Sequence, residues 1–215
     1  MSSLSERLPE GARFAVLASG GGTNVQALID AYPRELAVVA GDRADAYAFE
    51  RARRAGIPVE HVDPGDFEDR EEFDAELARR LEGYEVGLVV GAGYLRLLSG
   101  EFLGRSPAMI NVHPSLLPEL KGLRAVERAL AAGVAETGVT VHYVTEEVDS
   151  GPVIRQEPVP VYPDDTAETL LARLHPVEHR LLVAAVEDHF RGRASGGRPA
   201  YSEVSEGSGE GRAPG

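Results

Sequence analysis

Residues 110–118 read Ile-Asn-Val-His-Pro-Ser-Leu-Leu-Pro, and the fold and the chemistry can both be inferred from this stretch. The mostly apolar run 108–112 ends in a His-Pro step, which is typical of a buried strand bounded by proline. Asn111 and His113 are two residues apart, so their side chains would project to the same side of that strand. At the C-terminal end of a strand in an open α/β sheet, this pair would lie where ligands bind. An amide donor beside a titratable imidazole suits chemistry on a carbonyl, although a histidine at a strand end is more often structural.

A second motif follows the short apolar run 13–18, where residues 19–24 read Ser-Gly-Gly-Gly-Thr-Asn and apolar residues at helical spacing come next. A strand, a glycine-rich turn and a helix together present backbone N–H groups to an anion. The turn lacks the later glycine of a dinucleotide fingerprint and the Gly-Lys-Ser/Thr of a P-loop, so a single phosphate is the favoured ligand. The alternative is a tight turn in which Thr23 or Asn24 caps the helix.

The hydrophobic periodicity of the rest of the chain predicts alternating strands and helices. Strands are expected at 36–41, 58–62, 86–90, 138–144 and 153–161, and helices at 44–55, 70–81, 123–132 and 164–190. Pro176 is expected to kink or split the last helix. The predicted fold is α/β: a Rossmann-like, mostly parallel sheet with helices on both faces and an antiparallel extension near the C-terminus.

Composition narrows the classes of function. There are 22 Lys and Arg against 35 Asp and Glu, a net charge of −13, which argues against binding to nucleic acid or to an anionic membrane. Cysteine is absent, which excludes disulfides and thiolate chemistry. The N-terminus does not resemble a signal peptide and no stretch is long and apolar enough to span a bilayer, so a cytoplasmic location is expected. The acidic excess would suit a high-salt cytoplasm, because salt screens self-repulsion.

The chain divides into a predicted domain at residues 1–190 and a tail at residues 191–215. The tail is rich in Gly, Ser, Glu and Arg, and it is expected to be flexible and acidic. No Asp/His cluster has metal-ligand spacing, so no metal is expected. The oligomeric state is left open between a monomer and a homodimer.

Four motifs, taken together, resemble those of the folate-dependent formyltransferases. They are Ser-Gly-Gly-Gly-Thr-Asn at 19–24, Asn-Val-His-Pro-Ser-Leu-Leu-Pro at 111–118, Gly-Val-Thr-Val-His-Tyr-Val at 138–144 and Asp-Ser-Gly-Pro-Val-Ile at 149–154. Their order is far more specific than any one motif, and the resemblance covers about residues 12 to 190. Within the family, the chain is most similar to the members that formylate phosphoribosylglycinamide (GAR) in purine synthesis.

The resemblance implies formyl transfer from 10-formyltetrahydrofolate, a co-substrate and not a bound cofactor, to the primary amine of GAR. It implies that Asn111, His113 and Asp149 are catalytic. The residues that it implies for the GAR phosphate and amine are Gly21, Gly22, Thr23, Asn24 and Glu178. The residues that it implies for folate are Arg70, Tyr94, Arg96, Leu97, Leu98, Val144 and Asp149.

Elementary chemistry agrees with the catalytic roles. Attack of an amine on a formyl carbon makes a tetrahedral oxyanion, to which the Asn111 amide can donate. His113 can stabilise the oxyanion when protonated and can carry a proton to the leaving nitrogen. Asp149 is expected to raise the pKa of His113 by its charge and to orient the ring.

One loop departs from the family pattern. Members often carry proline before Gly122 and a histidine shortly after it, whereas residues 120–126 here read Leu-Lys-Gly-Leu-Arg-Ala-Val. Lys121, the only lysine of the chain, is a candidate anion contact, with a solvated loop residue as the commoner alternative. The altered loop is next to the catalytic strand, so it bears on the choice of acceptor amine more than on the formyl chemistry.

Three alternatives remain open. A formyltetrahydrofolate hydrolase would use the same donor, but an N-terminal regulatory domain would be expected. A formyltransferase for another amine would carry the same catalytic trio, although one acting on tRNA would be expected to have a further C-terminal domain. A non-catalytic nucleotide-binding module of doubly wound fold would keep the glycine-rich turn without needing Asn111, His113 and Asp149 together.

Overall fold

The structure, a computed structural model, describes residues 8–192. Strands and helices alternate along this part of the chain. The strands are β1 (Phe14–Leu17), β2 (Leu36–Gly41), β3 (Val59–His61), β4 (Leu88–Gly91), β5 (Met109–His113), β6 (Glu136–Tyr143) and β7 (Val153–Pro160). The helices are α1 (Thr23–Ala31), α2 (Tyr47–Arg54), α3 (Arg70–Glu82), α4 (Gly100–Arg105), α5 (Ala125–Ala132) and α6 (Ala167–Phe190).

The strands form one mixed sheet in the order β3-β2-β1-β4-β5-β6-β7. Strands β1 to β5 pair in parallel, and β6 pairs antiparallel with both β5 and β7. The predicted α/β sheet with an antiparallel extension is therefore confirmed. Because the strand order reverses between β1 and β4, the loops that follow these two strands leave the sheet in opposite directions and open a crevice at its edge.

Alternate residues of the parallel strands pack into two separate cores. In β1, Phe14 and Val16 lie in the core formed with α1, α2, α5 and α6. Ala15 and Leu17 face the opposite side, where α3 and α4 cover the sheet. Since both faces of these strands are buried, they are continuous apolar runs, and the helices lie on both faces as predicted.

Helix α6 continues through Pro176, so of the two expected effects, a kink or a split, the split is wrong. Pro176 and Ala172, whose carbonyl loses its helical partner there, both face solvent. Water can satisfy the freed carbonyl, while buried leucines before and after the proline hold the helix against the sheet.

Helix α5 begins at Ala125 and not at residue 123 as predicted, because the preceding loop has a left-handed backbone. The φ angles of Leu120, Gly122 and Arg124 are 55°, 80° and 60°, which a right-handed helix cannot contain. Helix α2 likewise begins later than predicted, at Tyr47. The short helix α4 was not predicted from the sequence, because six residues are too few to show a helical period. Most of the predicted tail, residues 193–215, lies outside the described residues.

Candidate active site

A cavity of about 840 Å³ opens at the C-terminal ends of β1, β4 and β5. This is the sheet edge at which the sequence places the ligands. All the candidate site residues line the cavity: Gly21, Gly22, Thr23, Asn24, Arg70, Tyr94, Arg96, Leu97, Leu98, Asn111, His113, Val144, Asp149 and Glu178. Ser19 joins the two loops that diverge at the crevice, since its N–H donates to Gly93 O at 3.1 Å and its Oγ accepts from the Leu95 N–H at 3.1 Å.

Asn111 lies on β5 between β4 and β6. It pairs with Gly91 on one side and with His142 on the other. A Cβ atom at Gly91 would lie 2.7 Å from Asn111 Oδ1, so only glycine leaves room for the amide there. The amide side chain thus packs against Gly91 and lines the cavity.

His113 ends β5 and is nearly enclosed, with 7% of its side chain exposed. Its Nε2 lies 3.0 Å from the carbonyl oxygen of Leu120. A carbonyl only accepts, so this nitrogen carries the hydrogen. The other ring nitrogen, Nδ1, lies 3.4 Å from Asp149 Oδ2. Oxygen atoms of the protein therefore face both ring nitrogens.

Burial lowers the pKa of His113 below its ordinary value, while the charge of Asp149 opposes that shift. The sequence predicts that Asp149 raises this pKa, and the charge of Asp149 does act to raise it. The net shift is nevertheless downward, because loss of hydration disfavours the charged ring more than the carboxylate favours it. Burial therefore favours the neutral form of the ring in the free protein.

Asp149 lies on the turn between β6 and β7, with a positive φ of 49°. Its Oδ2 accepts the Gly122 N–H at 2.7 Å, and its Oδ1 lies 3.5 Å from His142 Nε2. Burial would raise the pKa of this carboxyl, but His142, the Gly122 N–H and His113 together lower it to about 2. Asp149 is therefore a carboxylate throughout the neutral range.

His142, in the motif at residues 138–144, joins this group. Its Nδ1 lies 2.8 Å from Tyr143 O, a structural contact within the strand. Its other nitrogen faces Asp149, and the residue lines the cavity. The antiparallel register that places His142 beside Asn111 could have indicated this role.

The glycine-rich turn leads directly into α1 with Gly22 as the cap residue and no capping side chain. The alternative in which Thr23 or Asn24 caps the helix is therefore wrong. Gly22 has a φ of 68°, and a Cβ atom there would lie 2.7 Å from Ala48. The N–H groups of the first helical turn are left without a capping side chain, which suits an anion.

Two contacts support this turn from outside it. Asn24 Nδ2 donates to Glu178 Oε2 at 3.1 Å, and Arg51 Nε donates to Gly21 O at 2.9 Å. Burial raises the pKa of Glu178, against the hydrogen bond from Asn24 and the charge of His175. His175, which is not among the predicted site residues, also lines the cavity.

The cavity also has an apolar part of its lining, called the apolar rim, which consists of Leu95, Leu97 and Leu123. These leucines are exposed by 61%, 58% and 70%. The guanidinium of Arg96, which also lines the cavity, lies 5.0 Å from the ring centre of Phe73. Leu95 and Leu123 were not predicted from the sequence, because an exposed leucine in a loop gives no periodic signal.

Neither a metal site nor a membrane span is found in residues 8–192. Within this range, no group of three or more His, Cys, Asp or Glu side chains could hold a metal ion. None of the helices described is both long and apolar enough to cross a membrane.

The model of the formyl transferase family matches residues 12–186. The chain belongs to this family. A solved structure of glycinamide ribonucleotide transformylase 1 from Symbiobacterium toebii has 47% sequence identity and a TM-score of 0.83, covering 89% of this chain and 94% of that one. Phosphoribosylglycinamide formyltransferase of Escherichia coli is 39% identical over 186 residues, covering 84% of this chain and 88% of that protein.

Some similar proteins are much longer. The trifunctional purine biosynthetic protein adenosine-3 of Gallus gallus is 44% identical over 181 residues, which are 81% of this chain. The matched part is 18% of that protein, so the chain spans less than a fifth of its length.

Proposed function

We propose that the protein transfers the formyl group of 10-formyltetrahydrofolate to the primary amine of GAR, giving formyl-GAR and tetrahydrofolate in purine biosynthesis. One observation carries the proposal. Asn111, His113 and Asp149 line a single cavity, whose wall also includes an uncapped helix N-terminus and an apolar rim. This is the arrangement that a phosphorylated amine and a folate would need to meet at a carbonyl carbon.

The proposed reaction begins when the neutral GAR amine attacks the formyl carbon. The carbon–nitrogen bond forms, the carbonyl electrons move to oxygen, and an oxyanion develops. The Asn111 amide donates to that oxyanion, and it is held in place by its packing against Gly91. The bond to N10 of the folate then breaks as N10 gains a proton.

His113 moves that proton in this proposal. Its lowered pKa favours the neutral ring, which gives the Nε2 proton to N10 and takes up a proton in return, so that the proton lost by the amine balances the one gained by N10. The Nε2–H that faces Leu120 O in the free protein is a donor that an incoming oxygen or nitrogen could use. The nearby Asp149 carboxylate stabilises the imidazolium formed during the transfer.

The two substrates would occupy different parts of the cavity. The GAR phosphate would lie at the turn of Gly21, Gly22 and Thr23, where uncapped N–H groups and Arg51 offset the acidic charge of the protein as a whole. Glu178 and Asn24 would contact the rest of GAR. The folate would lie along Arg70, Tyr94, Arg96, Leu97, Leu98 and Val144, with its ring system against the apolar rim.

The deciding experiment mixes the purified protein with 10-formyltetrahydrofolate, with and without GAR. It follows tetrahydrofolate release and the mass of the GAR product. A gain of one formyl group that depends on GAR supports the proposal. Release of formate without GAR would favour the hydrolase, and transfer to a different phosphorylated amine would favour another acceptor. Binding without any turnover would favour a nucleotide-binding module.

His113→Ala separates the enzyme from the binding module. We expect the variant to fold, to bind inorganic phosphate nearly as the wild type does, and to lose most of its turnover. Near wild-type turnover would contradict the assignment of His113.

We further propose that the protein is cytoplasmic and remains active at high salt, because a net charge of −13 is tolerated best where salt screens it. Repeating the assay from low to molar salt tests this, and loss of activity in high salt would contradict it.

The division into a domain at 1–190 and a tail at 191–215 is tested by assaying a chain truncated after residue 192. Light scattering distinguishes a monomer from a homodimer.

A further inference from the structure

The loop at residues 120–124 contacts both His113 and Asp149 through its backbone. Leu120 O lies 3.0 Å from His113 Nε2, and the Gly122 N–H donates to Asp149 Oδ2 at 2.7 Å. The residue between these two backbone groups is Lys121. Any movement of this loop would therefore change the surroundings of both side chains at once.

The Lys121 side chain crosses to the turn that carries Asp149. Its Nζ donates to Ser150 Oγ at 2.5 Å and lies 3.5 Å from Glu147 Oε1. The Ser150 hydroxyl in turn donates to Val148 O at 2.9 Å. The ammonium group thus ties residues on both sides of Asp149 to the loop.

The backbone of Asp149 also depends on the shape of this turn. Its φ of 49° lies in the left-handed region, which few residues other than Gly, Asn and Asp adopt. The loop is itself anchored on its other side, because Arg128 Nη1 donates to Lys121 O at 2.5 Å. A connection runs from α5 through Lys121 to the turn at residues 147–150.

We propose that Lys121 is a positioning residue, which fixes the Asp149 carboxylate against His113 by holding Ser150 and the turn around it. The inference rests on the proposed function for its effect on turnover. Lys121 does not line the cavity, so it is neither a catalytic group nor the anion contact that the sequence suggests as one option. The half-exposed Ser150 contact carries most of the effect, since Glu147 is 79% exposed and its pairing is screened.

The test compares Lys121→Met, Lys121→Arg and a control, Arg43→Met, which removes an exposed positive charge paired with Asp45 far from this loop. We expect Lys121→Met to lower kcat about tenfold, because small displacements of a catalytic group cost up to about 100-fold. KM for both substrates should stay within about twofold. Lys121→Arg should recover most of kcat, and the control should match the wild type.

A second readout does not depend on turnover. The groups that act electrostatically on His113 are Asp149, His142 and Arg128. If Asp149 moves away in Lys121→Met, the pKa of His113 should fall further, as seen by NMR titration of its ring protons. Ser150→Ala should lower it in the same direction, whereas Arg43→Met should leave it unchanged.

The outcomes separate the two proposals. Wild-type protein without GAR-dependent transfer would overturn the proposed function, yet a lower pKa of His113 in Lys121→Met would still support the positioning role. Wild-type kcat together with an unchanged His113 titration in Lys121→Met would overturn the positioning role, whatever the substrate. An equal loss of kcat in Lys121→Met and Lys121→Arg would also contradict the positioning role.

Discussion

Asp149 Oδ2 lies 3.4 Å from His113 Nδ1, with the two side chains only 11% and 7% exposed. The distance is longer than a good N–H···O hydrogen bond, and the same oxygen already accepts the Gly122 N–H at 2.7 Å. In the free protein, Asp149 therefore acts on His113 mainly through its charge. A ring whose neutral form is favoured by burial, beside a carboxylate with a pKa of about 2, is suited to accept a proton and then release it.

Asp149→Asn should lower the pKa of His113, because it removes the charge that opposes burial. The asparagine oxygen can still accept the Gly122 N–H, so the turn should remain folded. A buried histidine with a lowered pKa takes up its proton less readily in the folded state than in the unfolded state, whose pKa is about 6.5. The free energy of unfolding therefore decreases as the pH falls below that value, and the decrease should be larger in the variant. NMR titration of His113 and thermal unfolding between pH 5 and 8 measure both effects.

We expect turnover of Asp149→Asn to fall about 100-fold. Asp45→Asn, at an exposed carboxylate outside the cavity, is the matched control. An unchanged His113 titration would show that the charge of Asp149 does not reach the ring.

Asn111→Ala should reduce kcat by about 100- to 1,000-fold, the range for loss of one oxyanion donor. KM for GAR should change little, because Asn111 lies on β5 and not at the glycine-rich turn. The change enlarges the space beside Gly91, so no steric conflict is introduced. Steady-state kinetics with circular dichroism test this, and a loss confined to KM would assign Asn111 to binding instead.

The sheet, and the position of Asn111, His113 and the glycine-rich turn at its edge, could be predicted because their signals are local, whereas Asp149, Glu178 and the folate residues were implied only by the family resemblance. Asn111 and His113 are two residues apart on an apolar strand, and the glycine-rich turn directly follows another. The loop at 120–124 could not be predicted, since the positive φ angles of Leu120 and Arg124 have no counterpart in residue type. The direction in which the pKa of His113 shifts could not be predicted either, because it depends on how deeply the fold buries the ring.

Gly22→Ala should destabilise the protein and weaken GAR binding together. An alanine at a φ of 68° costs about 1–2 kcal/mol, and its Cβ would also lie 2.7 Å from Ala48. Relief of that overlap would shift α1 or α2 and so displace the N–H groups proposed for the phosphate. Gly104→Ala, where a Cβ meets nothing within 4 Å, is the control. Urea unfolding and calorimetric titration with GAR measure the two effects, and an unaffected variant would contradict the described turn.

Glu178→Gln should raise stability at neutral pH while weakening GAR binding. Burial raises the pKa of this carboxyl, so the folded state disfavours its charged form. The stability that Glu178 contributes is fully present below the unfolded pKa of about 4.3 and is lost as pH rises through the raised, folded pKa. Glutamine avoids that loss and keeps an oxygen to accept from Asn24 Nδ2.

The unfolding temperature of Glu178→Gln should therefore exceed that of the wild type at pH 8, and the difference should vanish near pH 4. Glu101→Gln, at an exposed site on α4, should show no such pH-dependent gain. KM for GAR should rise in Glu178→Gln alone, because the proposed contact between the carboxylate and GAR loses its charge. A variant that is less stable at pH 8 would mean that the buried carboxylate has stronger partners than Asn24 and His175.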